Sequence, residues 1–435
     1  MTQEAIQLLS EYLRINTTNP PGAEGEAAGF LEKILIHEGA SCKIYTSHAG
    51  RASLKAVLPG TGEKPPLILL NHMDVVPADP SEWSFDPFGG EVKDGFVHGR
   101  GALDMKGLGI LELVAFLELK RKGVDLCRDL IFLAVADEET GGAHGAQFLT
   151  DNYLEDFAGG VVINEGGFGV KGILPTKTLH MISTAEKGPC WLKLSRAGLP
   201  GHGSMPHGQN ALEELVKALN RLLTVDRPLE VAPVVGEYFK NMACEWDFLA
   251  PYVEDGNPDT LVRILTETGL AAMPQLGAML KNTISLNLLR AGESGNVIPS
   301  KAVAQLDTRL LPGQDADAFV AQVKEWLADD AVEVEKVMNF PATASPLDHP
   351  DYLTIKDALQ KRFPEDVVTP SLTAGTTDSR FFRAKGMEAY GVFPVTVPME
   401  HLKMIHGIDE KISEENLVQG AEAFTDVVLA LCKAG

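Results

Sequence analysis

Three short apolar runs end in acidic or histidine-bearing clusters, and this feature restricts the fold of the 435-residue chain more than any other. Leu67 to Leu70 runs into Asn71-His72-Met73-Asp74, Leu130 to Ala136 into Asp137-Glu138-Glu139, and Val161 to Ile163 into Asn164-Glu165. Continuous apolar runs of this length read as strands covered on both faces, as in an α/β sheet. Between the first two, Leu108, Leu111, Val114, Ala115 and Leu119 recur at helical spacing, which predicts a crossover helix over Leu108 to Lys120. Ligands of open α/β sheets bind beyond the carboxyl ends of the strands, so the polar clusters are expected to meet at one place. Carboxylates crowded there repel one another unless cations neutralise them, and carboxylate with histidine suits zinc, manganese or cobalt.

His72 and Asp74 stand two apart and project to one side of an extended chain. One can bind metal while the other, Asp74, accepts the spare imidazole proton and fixes the tautomer. Asp104 lies in the glycine-rich entry to the crossover helix, Gly99-Arg-Gly-Ala-Leu-Asp104-Met-Lys-Gly107, and is the candidate bridging ligand. Adjacent Glu138 and Glu139 cannot share one side of a strand, so one is expected to bind metal and the other to activate water.

The length exceeds what one hydrophobic core serves, so two domains are expected. From about Pro189 the texture changes. Trp191 to Ser195 and Ala302 to Leu310 alternate like half-exposed strands, while Asn210 to Leu223 and Phe319 to Leu327 read as helices. The first pattern returns with a strand near Glu388 to Phe393 and a helix from Glu415 to Cys432. A discontinuous first domain (1–188 and 338–435) with a second (189–337) inserted into it accounts for this order; the stretch from Arg227 to Lys281 yields no clear assignment. With 38 Lys plus Arg against 60 Asp plus Glu, a formal charge of -22 repels nucleic acid and anionic membranes. The five cysteines are scattered and read as buried thiols. The N-terminal stretch, with Ile6, Leu9 and Leu13 on one helical face among acidic residues, lacks a secretion signal, and a cytoplasmic location is expected.

Asn71-His-Met-Asp-Val-Val-Pro77, the Gly99 to Gly107 segment, Asp137-Glu-Glu-Thr-Gly-Gly142, Gly201-His-Gly-Ser204 and His406-Gly-Ile-Asp-Glu410 occur in one order across nearly the whole chain. Together they resemble the zinc aminoacylase, carboxypeptidase and succinyl-diaminopimelate desuccinylase family, in its carboxypeptidase-like branch. The resemblance implies an α/β fold: a zinc-exopeptidase-like catalytic domain with a central mixed sheet flanked by helices, plus an inserted α+β ferredoxin-like lid used for dimerisation. It implies two zinc ions per subunit, with cobalt or manganese as alternatives. His72, Asp104 and Glu165 would hold one ion, Asp104, Glu139 and His406 the other, and Glu138 would be the general base.

Within the lid, His202 matches the histidine that stabilises the reacting carbonyl. Asn296-Val-Ile-Pro-Ser and Asp307-Thr-Arg309 resemble a substrate clamp, in which the Arg309 fork would pair with a carboxylate. Thr373-Ala-Gly-Thr-Thr-Asp378-Ser-Arg380 resembles a loop near the substrate carboxylate. Ser204 beside His202 does not make a serine hydrolase, because a Gly-x-Ser-x-Gly elbow is absent. The implied activity is hydrolysis of an amide next to a free carboxylate, in N-acyl amino acids or short peptides, by a homodimer. The rival from another class is an inactive metal- or ligand-binding homologue. The stretch between Leu223 and Asn282 is longer than a minimal lid needs.

Overall fold

The computed structural model describes residues 2–433. Its centre is a nine-stranded mixed sheet. Four strands run parallel through the middle in the spatial order Leu130–Val135, Leu67–His72, Val161–Lys171 and Glu388–Pro398. An antiparallel hairpin, Ser41–His48 with Arg51–Leu58, extends one side, and Leu179–Glu186 with Val367–Thr373 extends the other. Leu67–His72 and Leu130–Val135 are buried at every residue, as the apolar runs Leu67–Leu70 and Leu130–Val135 predict for strands covered on both faces, and burial extends to Asn71 and His72.

The crossover helix spans Lys106–Lys122 and stops at Gly123, whose φ of 59° is the left-handed conformation that ends helices. It packs against the C-terminal helix Glu414–Cys432 and the N-terminal helix Thr2–Leu13. Ile6, Leu9 and Leu13 face inward from the N-terminal helix, and burying such side chains contributes about 1.5–3 kcal/mol each.

The third apolar run departs from expectation. Val161–Ile163 pairs with Leu67–Leu69, but its strand does not stop there: it continues to Lys171, so Glu165 lies within a strand rather than after one. Its pairing with Glu388–Pro398 is irregular between Gly391 and Phe393, opposite Asn164 and Phe168, and Glu165 falls in that break. Gly391 makes the irregularity workable, because a Cβ there would lie 2.1 Å from the Glu165 carbonyl oxygen.

A second, four-stranded antiparallel sheet is built from Gly188–Ala197, Thr283–Ala291, Lys301–Leu310 and Val332–Asn339. Helices Ala211–Thr224 and Ala316–Leu327 cover one face of it through Leu215, Leu219, Leu222, Phe319 and Val323. Strand, helix, two strands, helix, strand is the ferredoxin-like order. The stretch left unassigned in the sequence forms helices Pro233–Met242, Ala250–Asp255, Pro258–Glu267 and Pro274–Ala278. Their apolar residues, among them Val235, Phe239, Leu261 and Leu265, pack on Leu179, Val367 and Leu372 at the edge of the large sheet. Short proline-started helices that bury against another unit leave no single long period, which is why the pattern escapes a linear reading. The expectation of buried thiols holds for Cys127, Cys190 and Cys432, whereas Cys42 is half-buried and Cys244 exposed.

Candidate metal centre

The three strand ends do converge. His72 closes its strand, and its Nε2 lies 3.2 Å from Asp104 Oδ1 and 3.8 Å from Glu165 Oε1. His406 arrives from the opposite side, on the loop before the C-terminal helix. Its Nε2 is 3.0 Å from Asp104 Oδ2 and 3.2 Å from Glu139 Oε2. Asp104 thus turns one oxygen to each histidine. Donor atoms of His72, Glu138 and Glu165 lie within 4.8 Å of one another, as do those of His72, Asp104 and Glu139. The two histidines differ in setting: the His72 side chain is 2% exposed and fixed by the sheet, the His406 side chain 55% exposed on a rim.

Charge explains why this cluster is unfinished as it stands. Burial and the neighbouring Glu165 hold the Glu138 carboxyl well above its ordinary value; burial with Asp104 does the same for Glu165, and burial raises Glu139. Burial alone would push the His72 imidazole down, but Asp104 and Asp74 hold it well above the usual range. Bonds to Asp104 and Glu139 raise His406 to about 10. Burial would raise Asp104, yet its bonds to His406 and His72 bring it below the ordinary carboxyl range. Glu139 Oε1 is buried with no hydrogen-bond partner. Buried acceptors gathered without donors are costly unless a cation satisfies them.

Asp74 does more than its spacing from His72 predicts. His72 Nδ1 lies 2.9 Å from the Asp74 carbonyl oxygen and 3.6 Å from the carboxylate, so the backbone of Asp74 is the nearer partner of the ring. Its carboxylate accepts from the amides of Glu138 and Glu139, both at 3.1 Å, and from Asn19 Nδ2 at 2.8 Å. Behind it, Asp137 accepts from Arg51, Asn19, Thr140 and the His144 amide, and Arg51 forks onto Glu24 with two bonds of 2.8 Å. This buried network aims the Glu138–Thr140 turn at the site. Asn19, Glu24, Arg51 and Asp137 were not singled out in the sequence; a buried-looking Asp137 opening the acidic triplet was the one available signal.

Asp378, from the glycine and threonine loop, is also buried here. Neither of its oxygens has a hydrogen-bond partner, and burial pushes its carboxyl up to about 7. The loop is held by Glu186, which accepts from the Thr377 amide and hydroxyl, and by Asn164, which donates to Thr377 and Ser379.

The candidate residues of the inserted unit have local hydrogen-bond partners. His202 is exposed, its Nδ1 bonded to the hydroxyl and amide of Ser204. Asn296 accepts from Gly203 through its backbone and from Ser294 through its side chain. Arg309 forks onto its neighbour Asp307, at 2.7 and 3.1 Å, with its guanidinium beside the Trp191 ring.

A model of the peptidase family M20/M25/M40 matches residues 68–430. The chain belongs to that family and is a hydrolase of it. It is 32% identical over 361 residues to the N-fatty-acyl-amino acid synthase/hydrolase PM20D1 of Xenopus tropicalis, covering 80% of this chain and 69% of that protein. It is 28% identical over 436 residues to aminoacylase-1 of Sus scrofa, covering 98% of this chain and 95% of that one. The fold is that of the M20 metallo-carboxypeptidase Sso-CP2 from Sulfolobus solfataricus, with a TM-score of 0.74 at 22% identity over 98% of this chain and 99% of that one. It also matches YXEP of Bacillus subtilis, described as a dinuclear metal-binding peptidase, with a TM-score of 0.60 at 13% identity over 98% of each chain. No helix among the described residues is long and apolar enough to cross a membrane.

Proposed function

We propose that this M20 hydrolase cleaves an amide bond next to a free carboxylate, in N-acyl amino acids or short peptides, and does so with two zinc ions per subunit. The observation that carries the reading is the convergence of His72, Asp104, Glu138, Glu139, Glu165 and His406 at contact distance, with a buried acceptor on Glu139 left unpaired. The donor set fits the ions, since imidazole and carboxylate suit zinc and an Asp with one oxygen turned to each histidine suits a bridge. His72, Asp104 and Glu165 would hold one ion and Asp104, Glu139 and His406 the other. Bound there, the pair would acidify a water and polarise the scissile carbonyl.

The remaining steps belong to the chain. Glu138 takes a proton from the attacking water and hands it to the leaving amine. Asp74 keeps Glu138 in place through its amide. His202 donates to the oxyanion as the carbonyl is attacked, a role it serves from the partner subunit of a homodimer. Arg309 exchanges Asp307 for the substrate carboxylate, with Asn296 beside the same group. We place the protein in the cytoplasm, on small acylated amino acids or peptides and away from nucleic acid and membranes. An inactive homologue is disfavoured by the intact donor set and the presence of Glu138.

A panel of N-acyl amino acids and dipeptides, each with its carboxyl amidated as a control, tests the reading by mass spectrometry of the products. Free acids are expected to be cleaved and amidated controls spared, with activity lost on chelation and restored by zinc. Cleavage of neither group by the zinc-loaded protein would refute it.

A further inference from the structure

Glu410 and Arg100 form an almost fully buried ion pair beside the site, and neither has a place in the reaction just described. Glu410 Oε1 accepts from the amides of Leu103 at 2.7 Å and Asp104 at 3.1 Å. Its Oε2 accepts from the Gly101 amide at 3.1 Å and Arg100 Nη1 at 2.7 Å. The other arm of the Arg100 fork, Nη2, donates at 2.6 Å to the carbonyl of Gly407, the residue after His406, and the guanidinium lies over the Trp83 ring. The Gly99 amide adds a bond to the Glu410 carbonyl. Two segments 310 residues apart in sequence, one leading to Asp104 and one following His406, are therefore joined through the Glu410 carboxylate and the Arg100 guanidinium, beside the backbone pairing of His98 with Lys411.

Every hydrogen-bond partner of the Glu410 carboxylate is a donor. His406 itself is held at φ 57°, a left-handed conformation that a histidine keeps only when its surroundings impose it. Arg100, bonded to the very next carbonyl, supplies that constraint from the buried side, and Ser84, donating twice to Asp409, supplies it from the exposed side. His72 and Glu165 need no such help, because both sit on strands of the central sheet.

We propose that the Arg100–Glu410 pair is a positioning clasp that sets the gap between Asp104 and His406, and so governs occupancy of one metal position more than the other. The position shared by Asp104, Glu139 and His406 depends on both loops; the position of His72, Asp104 and Glu165 depends on one. The inference rests on the two-ion reading above.

Zinc titrated into the metal-free, full-length protein against a competing chelator tests it. Arg100→Lys keeps the charge but has one nitrogen where the fork uses two. Glu410→Asp keeps the charge but is a methylene too short to reach the amides and the guanidinium together. The wild type is expected to take two ions. In either variant the second ion should weaken tenfold or more beyond any change in the first, within the range typical for outer partners of metal ligands, and the titration should match that of His406→Ala rather than His72→Ala. Equal weakening of both ions overturns the clasp, as does unchanged affinity for both. A lowered unfolding midpoint of the metal-free variant with wild-type zinc affinities also overturns it, since that is what a purely structural pair would give. A wild type that binds no zinc refutes the two-ion reading instead.

Discussion

The central sheet and the inserted α+β unit place their polar residues in opposite ways. On the sheet, His72 ends a paired strand and Glu165 sits at a break in the pairing of another, and the Glu138–Thr140 turn is pinned by Asp74. The side chains there point at one another, two histidines among the carboxylates, with Glu139 Oε1 left without a hydrogen-bond partner. On the inserted unit, His202, Asn296 and Arg309 are satisfied by near neighbours in sequence: Ser204, Ser294 and Asp307. The first arrangement is a donor set that could hold metal ions, the second a set of groups that, on the proposed reading, give up local partners to act. Chemistry that must be held rigidly is built on strands, whereas contacts made only with substrate present can be carried by residues that change partners.

The strongest way to break this contrast is to disarm the sheet. Glu138→Gln should lower turnover by about 10²–10⁴-fold, the usual weight of a general acid–base group, while two ions stay bound. Asp104→Ala should lose metal. Elemental analysis of both purified variants decides between the roles. Glu138 lies close enough to His72 and Glu165 to be a ligand itself, so loss of zinc from Glu138→Gln to the extent seen in Asp104→Ala would reassign it.

What was legible from the sequence follows the same division. The ends of Leu67–His72 and Leu130–Val135 declared themselves because a polar cluster after a run buried on both faces has few other uses. Glu165 does not follow its strand as the apolar run implies: the strand runs on to Lys171, and Glu165 falls at a break in its pairing that no linear pattern signals. His406 was accessible only through family resemblance, since nothing in its spacing links it to strands so far upstream. Asn19, Glu24 and Arg51 were missed because their partners, Asp74 and Asp137, lie in other segments, and side-chain networks leave no periodicity. The helices between Pro233 and Ala278 were missed because their apolar faces answer to the edge of the large sheet and not to each other alone.

The next test probes the inserted unit. If His202 acts in the partner's site, co-expressed and doubly tagged hybrids of His202→Ala with Glu138→Gln contain one site with both residues intact, and should regain up to about half the wild-type activity per site pair, as two-fold symmetry requires. Hybrids as inactive as the parents mean that His202 serves its own subunit. A smaller effect is expected at Arg309. Arg309→Lys preserves charge but loses the fork, at a cost of about 1.5–3 kcal/mol for a charge-assisted bond, so catalytic efficiency on free acids should fall about tenfold or more with discrimination against amidated substrates reduced. Unchanged preference for the free acid would assign the carboxylate to another group.

The smallest expected effect is in pH dependence, and it separates the regions again, because raised glutamates and histidines share the sheet's site. Burial holds Glu138, Glu139 and Glu165 above the ordinary carboxyl range, and carboxylate partners hold His72 well above its ordinary value and His406 at about 10. At these groups the folded, metal-free protein holds more protons than the unfolded chain, whereas Lys106 and Lys187, pushed down to about 7 by burial, act in the other sense. Stability from His406 is fully present below the ordinary imidazole value of about 6.5 and is lost as pH rises through about 10. Where the folded state holds more protons than the unfolded one, stability falls with rising pH. The lowered Asp104 acts in the other sense, but only at acidic pH below the ordinary carboxyl value. Ions that take these same ligands must displace the protons, so their binding tightens as pH rises. The gap in Tm between zinc-loaded and metal-free protein should accordingly widen between about pH 6.5 and pH 8.5, within the window set by the ordinary and raised imidazole values. His406→Ala should flatten that widening, since it removes the proton with the longest reach into alkaline pH, whereas His202→Ala should leave it unchanged. A gap independent of pH in the wild type would mean that protons and ions do not compete for one set of side chains, and the cluster at the strand ends would then have to hold its cations through groups other than these.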